Sequence, residues 1–149
     1  DYLYFIDQGI IRFFLNKTHP TEPSKEITFS FISENSFGSA YDSFITRTPC
    51  AYNVKTVQDS ILYRIHYDEI QELYRHSPIG NLMGRISAEQ LYVKKTKREI
   101  ALLTQTAEER YLSLVKEHPK FIQEIPLKHI ASYIGITPQA LSRIRKQLL

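Results

Sequence analysis

The chain has 149 residues, 42% of them hydrophobic and 23% charged, with a formal net charge of +3, the profile of a soluble globular protein with room for one ordinary domain or two small ones. Its single cysteine, Cys50, excludes a disulfide framework and any four-thiolate metal or iron–sulfur site built from this chain alone. No apolar run approaches membrane-spanning length and no secretory signal opens the sequence, so a cytoplasmic protein without a membrane partner is expected.

The charge is unevenly placed. Residues 1–80 hold seven Lys and Arg against ten acids, net −3, whereas residues 81–149 hold twelve against six, net +6. An acidic first half followed by a basic second half suggests one module that does not face a polyanion and one that does.

In chain order, residues 2–16, YLYFIDQGIIRFFLN, are two apolar, aromatic-rich runs about Asp7-Gln8-Gly9, which predicts a hairpin. The polar stretch 16–25, NKTHPTEPSK, predicts a loop. Ile27, Phe29 and Phe31 then alternate with polar neighbours as a half-buried strand does. The Ser/Gly-containing stretch 33–44 interrupts, and AYNVKTV (51–57) and SILYRIHY (60–67) read as two more strands. Several short strands with frequent turns predict an antiparallel sandwich or barrel. Past Asp68 the period changes, and Ile70, Leu73 and Tyr74 suit one short helix.

Residues 77–104 predict a long helix. Ile79, Ile86, Val93 and Ile100 stand seven apart, with Leu82 and Leu103 three residues after the first and last. That repeat draws two helices into a left-handed supercoil, and β-branched residues at it favour a parallel pair. Glu89 and Thr96 interrupt the companion positions, so a single helix laid over its own domain is the alternative. The basic run 94–98, KKTKR, reads as a solvated face. Residues 106–115 predict a further helix, ending before Pro119.

The last stretch, residues 125–149, IPLKHIASYIGITPQALSRIRKQLL, reads as two helices and a tight turn. Leu127, Ile130, Ala131 and Ile134 form an apolar face at helical spacing. Gly135 follows, where a helix end needs the left-handed conformation. Thr137 is placed to cap the next helix, Pro138 suits its first turn, and Ile136 with Leu141 can staple it. Leu141, Ile144 and Leu148 continue the buried stripe, and small Ala131 lies where the helices would cross. The open face of the second helix carries Pro138, Gln139, Ser142, Arg143 and Lys146, with Arg145 to one side; Arg145 and Lys146 lie a turn further on. A B-DNA major groove admits a helix, and its base edges take Arg on guanine and Gln on adenine. We therefore expect DNA binding through Thr137, Pro138, Gln139, Ser142, Arg143, Arg145 and Lys146, the last two on phosphates. His129, on the preceding helix, suits a phosphate contact as well. No nucleophile elbow, phosphate-cradling loop or metal-ligand spacing appears, so neither an enzyme nor a metal or cofactor site is expected.

A β-rich part, a long helix and a basic helix-turn-helix are the plan of a dimeric, ligand-sensing regulator. On the segments DYLYFIDQGIIRFFL, NSFGSAYDSFITRTPCAYNV, the long helix and HIASYIGITPQALSRIRKQL, the sequence resembles the Crp/Fnr family of bacterial transcription regulators. The resemblance implies an α+β protein. Residues 1–76 would be a cyclic-nucleotide-binding-like antiparallel β-barrel or jelly-roll sensor domain, 77–104 a dimerisation helix, and 105–149 a winged helix-turn-helix domain. It implies a homodimer joined by Ile79, Leu82, Ile86, Val93, Ile100 and Leu103, reading double-stranded DNA at a near-palindromic site and meeting RNA polymerase. By the same likeness Pro138, Gln139 and Arg143 fall on the principal base-reading positions, though Pro138 and Gln139 depart from the family's usual Arg and Glu. The chain opens on Asp1 and its last residue falls in the last turn of the second helix, so the wing and the first barrel strands are expected outside it.

The sensor region departs further. Where the family's cyclic-nucleotide binders carry a Gly-Glu pair and an Arg-Ser/Thr-Ala element, this chain has Ser39-Ala40 and Pro49-Cys50-Ala51. The ribose-holding carboxylate and the phosphate-holding guanidinium are both missing, and a buried phosphate without bidentate Arg loses its strongest partner. Phe37, Gly38, Ser39, Ala40, Pro49, Cys50 and Ala51 are therefore expected to form a degenerate ligand pocket, with an effector that is not cyclic AMP. Arg47 is near in sequence but is not obviously aimed inward. His66 and His76 could serve as haem ligands as in some relatives, and read more simply as surface residues. The alternative function is a degenerate sensor that binds a protein and has lost specific DNA binding.

Overall fold

Alternating side chains make the strands, and the computed structural model, which describes residues 1–19 and 22–148, arranges them in two sheets. They are β1 (Tyr2–Gln8), β2 (Ile10–His19), β3 (Glu22–Ser33), β4 (Ser36–Gly38), β5 (Asn53–Thr56) and β6 (Ile61–His66). The sheet orders are β4-β1-β6 and β3-β2-β5. In the first, neighbours run antiparallel, with Phe5 opposite both Phe37 and Tyr63. The helices are α1 (Tyr41–Thr46), α2 (Tyr67–His76), α3 (Pro78–Thr104), α4 (Ala107–Glu117), α5 (Pro119–Glu124), α6 (Leu127–Ile134) and α7 (Pro138–Leu148). The class is α+β: antiparallel sheet, one long helix and a helix-turn-helix, as the pattern of periods predicts.

The expected hairpin across Gly9 is not formed. β1 is the central strand of its sheet, with β4 on one edge and β6 on the other, so it has no edge left for β2. One residue separates the two strands, too few for a hairpin loop. Gly9, at φ +105°, instead turns the chain from one sheet into the other, and a Cβ there would run into Ser60. The stretch 16–25 is mostly strand rather than loop, because β2 runs to His19 and β3 starts at Glu22; Pro20 and Thr21 lie outside the described residues. Strand pairing is made by the backbone, so hydropathy does not reveal it in a polar ribbon. Two short helices were also hidden. α1 is anchored by buried Phe44 and ends on Arg47 in the left-handed conformation. α5 begins at Pro119, since a proline that stops one helix is at home in the first turn of the next.

The chain divides into two compact units. The first comprises Asp1–Phe13 and Phe31–Lys95. Its core is Ile6, Ile10, Ile11, Phe13, Phe31, Phe44 and Ile70. Within it α2 lies close against the first turns of α3. A Cβ on Gly80 would meet Leu73, and one on Gly84 would meet the Tyr74 ring, so this glycine pair sets how closely the two helices approach. α2 starts on a capping box in which the Asp68 amide donates to His66 Nδ1 at 3.3 Å and the His66 amide to Glu69 at 2.8 Å.

The second unit comprises Phe14–Ser30 and Thr96–Leu149. It thus holds the outer length of the β2–β3 ribbon together with the end of α3 and all of α4–α7. Its core is Phe14, Thr28, Tyr111, Leu114, Phe121, Ile125, Ile130, Ala131, Ile134 and Leu141. α4 opens with a complete capping box: the Glu109 amide donates to Thr106 Oγ1 at 3.2 Å, and the Thr106 amide to Glu109 Oε2 at 2.7 Å.

Candidate nucleic-acid interface

The helix-turn-helix is built as its local signals predict. Past α6, Gly135 adopts φ 83°, ψ 26°. Its N–H donates to the Ser132 carbonyl at 3.2 Å, and the Ile136 N–H to the Ala131 carbonyl at 3.0 Å, the pair of bonds that closes a helix on a left-handed residue. The Ala140 amide donates to Thr137 Oγ1 at 3.2 Å, capping α7, and Pro138 fills its first position. Ala131 and Leu141 are completely buried, consistent with a close crossing of α6 and α7. The buried stripe of α7 is shorter than expected, however: Ile144 is half-buried and Leu148 exposed.

On α7, Pro138, Gln139, Arg143, Arg145 and Lys146 are exposed, as is Thr137 before it, while Ser142 is half-buried. No acid follows Glu124 in the chain, so the positive field of these side chains is not offset by acids within the motif. The α7 face therefore offers a donor-rich helix edge of the width a major groove accepts.

The last turn of α6 is held by two arginines that the sequence did not single out. Arg98 Nη2 donates to the Tyr133 carbonyl at 2.7 Å, and its guanidinium lies 3.8 Å from the centroid of the Tyr133 ring. Arg110 Nε donates to the Ile134 carbonyl at 2.9 Å and its Nη1 to the Gln105 carbonyl. Cations at a helix C-terminus satisfy orphan carbonyls and complement the dipole. Burial pulls the pKa of Arg98 below its ordinary value, with neighbouring Arg110 adding to that and the Tyr133 contacts opposing it. The run 94–98 is thus not simply a solvated face. Arg98, like Thr96, is half-buried, and its partner lies too far along the sequence for local spacing to reveal.

The apolar stripe on α3 is open. Ile79, Leu82, Ile86, Val93, Ile100 and Leu103 are all exposed, Leu103 to 80% and Ile79 to 70%. The seven-residue repeat of α3 is thus left uncovered within this chain.

Between the sheets of the first unit lies a cavity of about 390 Å³, large enough for a small ligand. Gly38, Ser39, Ala40 and Cys50 line it, with Tyr2, Tyr4, Ile11, Phe13 and Lys55 among their neighbours. Phe37, Pro49 and Ala51 do not. Phe37 is 53% exposed and packs on Phe5, with ring centroids 5.2 Å apart, because strand alternation turns it away from Gly38. Ser39 Oγ is buried without a hydrogen-bond partner among the described residues. Arg47 is not in the lining; it pairs with Asp1 at 2.8 Å and lies over the Tyr67 ring. Tyr52 donates to Asp42, and burial first, then that bond, push its pKa well above the usual phenol range. His66 is engaged as the α2 cap and His76 lies 3.0 Å from Glu72. Among the described residues no group of His, Cys, Asp and Glu could hold a metal ion, and no helix is long and apolar enough to cross a membrane.

No protein-family model matches the sequence, and no curated protein matches it. Solved structures do. FixK2 from Bradyrhizobium japonicum superposes with a TM-score of 0.79 at 13% identity, covering 99% of this chain and 74% of that one. CLP of Xanthomonas campestris, a c-di-GMP-responsive global regulator, gives 0.70 at 17% identity, covering 99% and 76%. TTHA1359 of Thermus thermophilus, a transcriptional regulator of the Crp/Fnr family, gives 0.63 at 15%, covering 99% and 75%. From its sheets through its long helix to its helix-turn-helix, the chain has the fold of the Crp/Fnr transcription regulators.

Proposed function

We propose that the chain is a sequence-specific DNA-binding transcription regulator of the Crp/Fnr type. The observation that carries this reading is the acid-free, exposed face of α7, held on a helix-turn-helix whose turn, caps and crossing are all formed. Arg143 and Gln139 stand in the first turns of α7, where recognition helices meet base edges, and Arg145 and Lys146 suit phosphates. Thr137, whose Oγ1 accepts the capping bond, and Ser142 have hydroxyls that can still donate to phosphate.

The protein works as a homodimer joined along α3, which supports a near-palindromic site. Residues 1–76 act as sensor, 77–104 as dimerisation helix and 105–149 as DNA reader, in the cytoplasm, with RNA polymerase as the downstream partner. The sensor cavity takes a small effector other than cyclic AMP. Among the described residues the lining contains no arginine to grip a buried phosphate, and its polar groups, Ser39, Ser43, Cys50 and Lys55 among them, are set in largely apolar walls. The regulators with this fold also favour a non-enzymatic role.

Selection of binding sites from random duplex DNA, repeated at two salt concentrations, tests the reading. A recovered palindrome with affinity falling steeply as salt rises is expected. Absence of DNA binding at both concentrations would sink it.

A further inference from the structure

The last turn of α6 is fastened to three different elements, and the DNA-reading face leaves all three fastenings unexplained. Ser132 Oγ accepts a hydrogen bond from the Thr28 amide at 2.8 Å and donates one to the Glu26 carbonyl at 3.0 Å. β3 is an outer strand of its sheet, so this hydroxyl stands where a further strand would pair and satisfies a donor and an acceptor of that edge together. The next residue, Tyr133, takes Arg98 of α3 on both its carbonyl and its ring. The one after, Ile134, takes Arg110 of α4. All of these groups belong to the second unit.

The helix-turn-helix does not need these bonds to close. The Gly135 turn and the burial of Ala131, Ile134 and Leu141 already join α6 to α7. The fastenings instead fix the motif as a body against the β2–β3 ribbon and the end of α3. The two ends of the β3 fastening differ: Thr28 is 1% exposed and its Oγ1 has no partner among the described residues, whereas the Glu26 bond is exposed. The bond to the buried Thr28 amide is the stronger and more directional of the two.

We propose, resting on the DNA-reading function above, that Ser132 and Arg98 are positioning residues for α7. Neither faces the groove. By holding α6 they fix the direction in which Gln139 and Arg143 point. Hydrogen bonds to base edges weaken steeply when misaligned, whereas phosphate contacts carry no sequence information and tolerate misalignment. Loosening α6 therefore lowers the preference for the correct site and leaves general DNA affinity in place.

Fluorescence anisotropy of Ser132→Ala and Arg98→Ala on the selected site and on a random duplex, at two salt concentrations, tests this. On the selected site Kd should rise on the order of tenfold, the effect of losing one part-buried hydrogen bond. On random DNA Kd and the salt slope should not change. Ser132→Thr, which keeps the hydroxyl, should restore the preference. Parallel loss on both DNAs would mark a folding defect and overturn the positioning role, as would an unchanged ratio. A wild-type chain with no site preference would remove the DNA-reading function itself, and this inference with it.

Discussion

Arg143 and Lys146 lie on the same exposed side of α7, and the proposed function gives them different tasks. Arg143 stands nearer the N-terminal end, where a guanidinium can grip a guanine edge with two bonds, while Lys146 is a point charge one turn later. Arg143→Ala should cost about 1–3 kcal/mol on the selected site and relax one base position, read by competition against single-base variants. Lys146→Ala should weaken every sequence alike and lower the salt slope by about one. At α4, hydrogen bonds from the Thr106 amide and hydroxyl hold the Glu109 carboxyl below its ordinary pKa of 4.5. A depressed folded-state value means that the unfolded chain binds the proton more readily. The contribution is therefore complete above the ordinary Glu range and is lost as pH falls through the lowered value. Glu109→Gln should flatten the acid limb of stability against pH, with little change in its neutral-pH slope; an unchanged limb in urea melts between pH 3 and about 6 would refute the assignment. Residues of this kind were legible only where a motif names them. Thr137, Gly135 and Arg143 announce themselves by spacing, whereas Ser132, Arg98 and Arg110 act through partners distant in sequence.

At the scale of elements, periodicity served best where an element owes its existence to its own side chains. α3, α6 and α7 fall where the apolar repeats put them. α3 keeps its repeat exposed along one chain, so Ile86→Glu, a change at a residue 40% exposed, should leave the chain folded while shifting dimer to monomer in sedimentation velocity. A variant that remained dimeric would remove α3 from the interface. Periodicity failed where an element depends on its neighbours. The hairpin expected at Gly9 does not form because both edges of β1 are taken. The polar residues 16–19 and 22–25 are strand because backbone pairing does not require apolar side chains. The glycine pair of α3, Gly80 and Gly84, is explained only once Leu73 and Tyr74 are seen against it.

At the scale of the whole molecule, the proposed two-fold dimer would place its two reading helices in successive major grooves on one face of the duplex. The selected site should therefore contain two half-sites about 34 Å apart, one helical turn; moving them apart by half a turn should abolish high-affinity binding in the same anisotropy assay. The amino-acid sequence by itself determined the α+β plan, the long helix, the helix-turn-helix and the chemistry offered on its open face, because caps, turns and apolar repeats are local and their partners lie within a few residues. The tertiary structure decided which strand pairs with which and turned Phe37 away from the cavity that Ser39 lines. It also bound Ser132 to β3 and Arg98 to Tyr133. Those contacts join positions far apart in the chain, and what selects them is the competition for a free strand edge or an unpaired carbonyl, which no local pattern records.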